Sequence, residues 1–130
     1  MRILNRLIVL LLTLSSLCAP TMGVADAGSI PAMTRAEITS EVIAKHLLYK
    51  GEEKGQALEG IIIYQSDRSI DIVTDGGLTD AGTWRFRRNK LCTRLSAFRA
   101  RKETCFSIGR LAEGSFATSH GFRLTVAKSP

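Results

Sequence analysis

Hydrophobic and polar residues change rhythm twice along this chain. The first stretch is a block: Leu7 to Leu17 (LIVLLLTLSSL) is apolar apart from small hydroxyls, and it follows Arg2 and Arg6. A helix needs about 20 apolar residues to span a bilayer. A shorter block behind positive charges, with small residues after it, reads as a secretory signal peptide over residues 1–27. Ala25-Asp26-Ala27 supplies an A-x-A cleavage site before Gly28. Cutting after Gly23, an uncleaved anchor and lipidation at Cys18 are the alternatives, the last opposed by Leu17 just before the cysteine.

The second rhythm is helical. Residues 28–33 read as a flexible leader, and Thr34-Arg35-Ala36-Glu37 then forms a capping box. Ile38, Val42, Ile43 and Leu47 follow at helical spacing, which predicts a helix from Arg35 to Leu48. Gly51 is its expected stop, with Lys45 and Lys50 suited to the negative end of the helix.

After the polar stretch Glu52 to Gln56 the rhythm becomes two. The predicted strands are Leu58–Gln65, Ser69–Thr74, Gly82–Arg87, Leu91–Phe98, Thr104–Ile108, Ser115–Ser119 and Phe122–Ala127, with turn residues between them. Short strands at this spacing predict a mainly β fold with one N-terminal helix. The expected form is an antiparallel meander making a small barrel or curled sheet, one domain over residues 34–130 with one disulfide.

Cysteine count and charge sharpen the picture. Removing residues 1–27 leaves 16 basic and 11 acidic residues, and the two cysteines Cys92 and Cys105. An even pair in an exported chain reads as a disulfide. If Cys92 opposes Cys105 on neighbouring antiparallel strands, Leu91 opposes Phe106 and Arg94 opposes Glu103. A tight turn at Arg88-Asn89 pairs Arg87 with Lys90, Phe86 with Leu91 and Arg85 with Cys92. The inner row is then Phe86, Leu91 and Phe106, with Trp84 beside it in the core. A slip of one residue would bury Arg87 instead. Arg88-Asn89 is not a favoured hairpin pair, so the slip stays open.

The segment Arg85 to Lys102 holds eight Lys and Arg in 18 residues and no acid. In this register Arg85, Arg87, Lys90 and Arg94 face outward together, a candidate anion-binding row. A solvated, edge-protecting face is the bland alternative. An exported protein meets little nucleic acid, so anionic lipid, lipopolysaccharide or an acidic protein are the expected partners. The oligomeric state is left open, and no membrane span is expected after cleavage.

Signals for catalysis are weak. His46 and His120 are far apart and match no zinc spacing, and Asp67, Asp71, Asp75 and Asp80 form neither a calcium loop nor a convincing acid–base pair. No phosphate loop or nucleophile elbow is present. The expectation is a non-enzymatic protein with no cofactor and no metal.

The string Gly82-Thr83-Trp84-Arg85, with Leu91-Cys92 after it and Glu103-Thr104-Cys105-Phe106 beyond, resembles small secreted alphaproteobacterial proteins grouped as domains of unknown function. The resemblance covers roughly Ala36 to Val126 and implies a lipocalin-like β fold in the envelope, with no assigned activity and no functional residue to carry over. More loosely, the design is similar to periplasmic inhibitors of metalloproteases and lysozymes. Three functions are therefore expected in turn: a periplasmic or secreted binding protein using its basic face, an inhibitor of a secreted hydrolase, and a carrier of a small apolar ligand.

Overall fold

A computed structural model describes residues 30–53 and 55–128. The expected signal peptide and its cleavage site lie outside the described residues. Helix α1 runs over Arg35–Glu41. It is followed by β1 Leu47–Glu53, β2 Gln56–Tyr64, β3 Ser69–Thr74, β4 Thr79–Arg87 and β5 Lys90–Leu95. A 3₁₀ turn, η1, spans Phe98–Arg101, and β6 Thr104–Phe106, β7 Ile108–Ala112, β8 Ser115–Thr118 and β9 Arg123–Val126 complete the chain. The fold is mainly β with one helix, as the alternation predicts.

The helix starts where expected and stops early. Thr34 Oγ1 accepts from the Glu37 N–H at 3.3 Å, and the Glu37 carboxylate accepts from the Thr34 N–H at 2.7 Å. Val42 is the C-cap. Ala44 then turns through φ 58° and donates its N–H to the Tyr64 carbonyl at 2.7 Å. The predicted second half, up to Leu48, gives way to β1. Ile38, Val42, Ile43 and Leu47 are all buried, so the spacing correctly marked the core while misjudging the backbone. From Leu47 on, buried Leu47 and Tyr49 alternate with exposed Leu48 and Lys50, the period of a strand. Ladders to β2 and β9 supply backbone partners on both sides. Gly51, the expected helix stop, lies within β1, where the Phe122 ring occupies the space a Cβ would fill.

All nine strands belong to one antiparallel sheet ordered β6-β5-β4-β3-β2-β1-β9-β8-β7. Its two edges are consecutive in sequence. The predicted strand Thr104–Ile108 is in fact two strands meeting at Ser107, β6 on β5 and β7 on β8. Ser107 exchanges bonds with Ser119: its N–H donates to Ser119 Oγ at 3.0 Å, and its carbonyl accepts from the Ser119 N–H at 2.9 Å. The meander thus curls into a nearly closed barrel.

The cysteine ruler gives the observed register. Cys92 and Cys105 are bonded across directly opposed positions, with Cα atoms 3.9 Å apart. Leu91 opposes Phe106 and Phe86 opposes Leu91. Arg85 opposes Cys92, and Arg87 opposes Lys90. The unfavoured turn forms with Arg88 at φ 56° because α1 braces it. Arg35 Nε donates to the Arg88 carbonyl at 2.6 Å, and the Arg35 N–H donates to Asn89 Oδ1 at 3.3 Å.

Trp84, Leu91 and Phe106 are buried and Phe86 is partly so. Gly82 belongs to the same inward row; a Cβ there would strike the Arg94 carbonyl, so the strand pair could not sit this close. Ile38 of α1 belongs to the same buried cluster as Trp84 and Leu91, and Arg35 at the start of α1 lies 5.3 Å over the Phe86 ring. Trp84 Nε1 donates to the Gln65 carbonyl at 2.8 Å, and Arg68 lies 4.6 Å over the indole. Glu41 ties the helix to Arg110 of β7 at 2.8 Å. Ala32 and Met33, placed by sequence in the leader, bridge to Gly109 and bond to the Ile108 carbonyl, and Met33 is buried.

Closing the 13-residue separation between the cysteines is worth about 3 kcal/mol in the chain-entropy account. Replacing both cysteines by alanine is expected to lower the urea-unfolding free energy by that amount while leaving the far-ultraviolet β spectrum in place. A loss below about 1 kcal/mol would contradict a structural role for the bridge.

Candidate functional site

The end away from α1 is hollow. A cavity of about 920 Å³ opens there, within the roughly 300–1,000 Å³ of small-ligand sites. Its wall comes from the inward positions of the sheet: Leu58, Ile62, Ile70, Ile72, Leu95 and Leu124. Register explains the continuity, since Ile62 opposes Ile72 while Tyr64 opposes Ile70. Trp84, Phe86 and Leu91 fill the other end, and Phe106 alone of that predicted core row reaches the cavity.

Polar groups lie at two depths. Deep in the barrel, Tyr64 and Thr93 are buried and both line the cavity. Burial pushes the Tyr64 phenol well above its ordinary value, with the Arg99 charge pulling the other way. Nearer the mouth, Arg99, Lys102 and His120 lie on the lining, and so do Glu59 and Asp75. Glu59 is ion-paired with Lys50 at 2.7 Å. Tyr49 also lines the cavity; burial first, then Asp75, raises its pKa.

Asp80 fixes this mouth, and sequence reasoning missed it. Placed by pairing with Ile72, it is buried on the inner face. Its carboxylate accepts from the Ser96 hydroxyl and from the N–H groups of Ala81, Ala97 and Phe98, the last at 2.8 Å. Desolvation alone would raise its pKa; the hydrogen bonds outweigh it and hold the group at about 2. The effect is to clamp the start of η1 onto β4. That turn delivers Phe98 and Arg99 to the cavity, with Arg99 at φ 56° and its guanidinium 5.5 Å over the Phe122 ring. The only sequence signal was an aspartate at an inward position of β4, and it needs the strand register to be read.

The four predicted anion-binding residues are exposed as expected: Arg85, Arg87, Lys90 and Arg94. Their electrostatics differ from the expected pairing. Glu103 takes Arg85, not Arg94, as its ion-pair partner, in a two-pronged contact at 2.7 and 2.9 Å, with Arg87 at 4.0 Å. The β5–β6 ladder ends at Thr93–Thr104, one pair short of Arg94 and Glu103, which frees the carboxylate to turn toward β4. Cys92, Cys105 and Glu103 are the one cluster of three metal-ligand types among the described residues, but both sulfurs are consumed by the disulfide. His46 lies between α1 and β1, and His120 sits in the turn before β9, its Nε2 3.1 Å from the Cys105 carbonyl.

An antiparallel up-and-down barrel, stoppered by a helix at one end and hollow at the other, is therefore the class that fold and site define. No protein-family model, curated protein or solved structure matches the chain. No helix among the described residues is long and apolar enough to cross a membrane.

Because the folded pKa of Asp80 is depressed from 3.8 to about 2, its contribution is complete above about pH 4 and drains away as pH falls toward 2. Asp80→Asn is expected to cost on the order of 2 kcal/mol at neutral pH and to flatten the fall in stability over that window. Acid-unfolding curves of the two proteins measure both effects. Parallel curves offset by nothing would contradict the clamp.

Proposed function

We propose that this chain is a non-enzymatic binding protein that takes up a small, largely apolar molecule in the hollow end of its barrel. The observation that carries this is the cavity itself. A barrel of about eight strands can pack its interior solid or hold one small ligand. This one packs Trp84, Phe86 and Leu91 under the helix and leaves an aliphatic chamber beyond them. Burying apolar ligand surface there is favourable by about 25 cal/mol per Å² before the costs of association.

The outward row of Arg85, Arg87, Lys90 and Arg94 supports a second reading, engagement of anionic lipid, lipopolysaccharide or an acidic protein. It ranks lower because Glu103 already compensates Arg85 and lies near Arg87. Hydrolase inhibition rests on architecture alone. The signal-like N-terminus and the disulfide support a periplasmic or secreted setting for all of these readings.

Uptake is expected to be saturable, one N-phenyl-1-naphthylamine per chain, with enhanced, blue-shifted emission. Ile72→Trp, which fills the chamber, should weaken it at least tenfold without lowering the melting temperature by more than a few degrees. Absence of saturable uptake by the unmodified protein, or full uptake by a folded Ile72→Trp variant, would sink the reading.

A further inference from the structure

The polar groups on the cavity lining are sorted by depth. Every charged side chain there keeps some exposure: Glu59, Asp75 and Lys102 are exposed, and Arg99 is half-buried with its guanidinium over the Phe122 ring. The buried polar side chains on the lining are all neutral hydroxyls. Tyr49, Tyr64 and Thr93 are 7%, 3% and 5% exposed, and none of the three hydroxyls has a hydrogen-bond partner among the described residues. No fully enclosed polar side-chain atom is orphaned in those residues, so each hydroxyl opens onto the chamber. Buried hydroxyls ordinarily have partners; here the wall leaves that place to an occupant.

Two of the three stand where the chamber meets the packed core, and Trp84 marks the place. Thr93 opposes Trp84 in the β4–β5 ladder, between Leu91 in the core and Leu95 on the lining. Tyr64 is the last residue of β2, and the carbonyl of the next residue, Gln65, accepts the Trp84 indole N–H at 2.8 Å. Leu58 and Ile62 precede Tyr64 on the lining of the same strand. Tyr49 stands apart from them on β1, its ring 6.3 Å from Phe122 and one residue from the Lys50–Glu59 ion pair. Burial holds the Tyr64 phenol protonated at neutral pH, so it can donate as well as accept.

We infer that the ligand is an uncharged apolar molecule of the alcohol class, bound with its oxygen toward the Tyr64 and Thr93 end of the chamber and its apolar body against Ile62, Ile70 and Ile72. This rests on the cavity reading and adds the charge and the orientation of the occupant. An alcohol oxygen accepts and its proton donates, which matches protein hydroxyls that do both. A charged head at that end would be buried among neutral groups with no counter-charge, at a large desolvation cost. A pure hydrocarbon keeps the apolar contacts and leaves the hydroxyls unmet.

Displacement of N-phenyl-1-naphthylamine by four molecules with one body separates these terms: 4-phenylbutanol, 4-phenylbutanoate, 4-phenylbutylammonium and butylbenzene, all at neutral pH. The alcohol is expected to bind at least tenfold more tightly than either charged compound. The double variant Tyr64→Phe/Thr93→Val keeps the shapes of both side chains and removes both hydroxyls. It should weaken the alcohol at least fivefold, the size of one neutral hydrogen bond, and leave butylbenzene within about twofold, which also certifies the fold. Without ligand its melting temperature should be unchanged or raised, because neither hydroxyl has a protein partner to lose. A melting temperature lowered by several degrees would overturn the inference by showing that the hydroxyls serve the fold. Equal weakening of alcohol and hydrocarbon, no weakening of either, or a charged compound binding as tightly as the alcohol would overturn it while the cavity reading stands. Loss of alcohol affinity in Tyr49→Phe and not in the double variant would overturn the orientation. Failure of 4-phenylbutanol to displace bound probe would overturn the alcohol assignment, and failure of the probe itself to bind would remove the cavity reading as well.

Discussion

Ser107 is the residue on which the barrel turns. A nine-strand meander has two free edges, and open edges invite pairing with other chains. Here both edges come from one continuous stretch, Thr104 to Ala112, which serves β5 before Ser107 and β8 after it. The paired bonds between Ser107 and Ser119 hold the bend. With β9 already paired to β1, this handover brings the sheet round on itself. Everything inside the barrel follows: inward positions of every strand face one another, and their volumes decide what is core and what is chamber.

The disulfide sets the register on one side of that bend. Because it joins directly opposed residues, it forces Leu91 and Phe106 to the same face and the arginines of β4 to the other. One face gathers aromatic bulk beneath the helix, and the same face nearer the mouth carries branched aliphatics too slender to fill the space. The helix contributes a stopper, held by Arg35 at one turn and by Arg110 from the sheet. Asp80 performs the matching task at the open end, where it gathers the backbone of η1.

Much of this was legible in the residues. Alternation located seven runs that become eight of the nine strands, and the two cysteines with a two-residue turn pointed to the observed register of three of them, with a slip of one residue left open. Two errors have clear physical origins. Ile38, Val42, Ile43 and Leu47 satisfy helical spacing and are all buried, so burial alone could not reveal that the backbone changes state after Val42. Ladders from β2 and β9, distant in sequence, decide that. Glu103 was paired with Arg94 by extending a ladder that actually stops one residue earlier. The cavity was not legible because it depends on summed volumes across strands, and the roles of Tyr64, Thr93 and Asp80 depend on which polar groups remain after the backbone has paired.

The central claim is that alternation along these strands separates a ligand-facing interior from an indifferent exterior. Methyl-resolved NMR tests it directly, because β2 and β3 carry large aliphatics on both faces. Outward Ile61 and Val73 are 41% and 45% exposed and paired to each other, while inward Ile62 and Ile72 are each 7% exposed. On titration with N-phenyl-1-naphthylamine, the methyl resonances of Ile62, Ile70 and Ile72 should shift and saturate together, with those of Ile61 and Val73 unmoved. Shifts confined to the outward methyls, or spread evenly over both faces, would contradict the account.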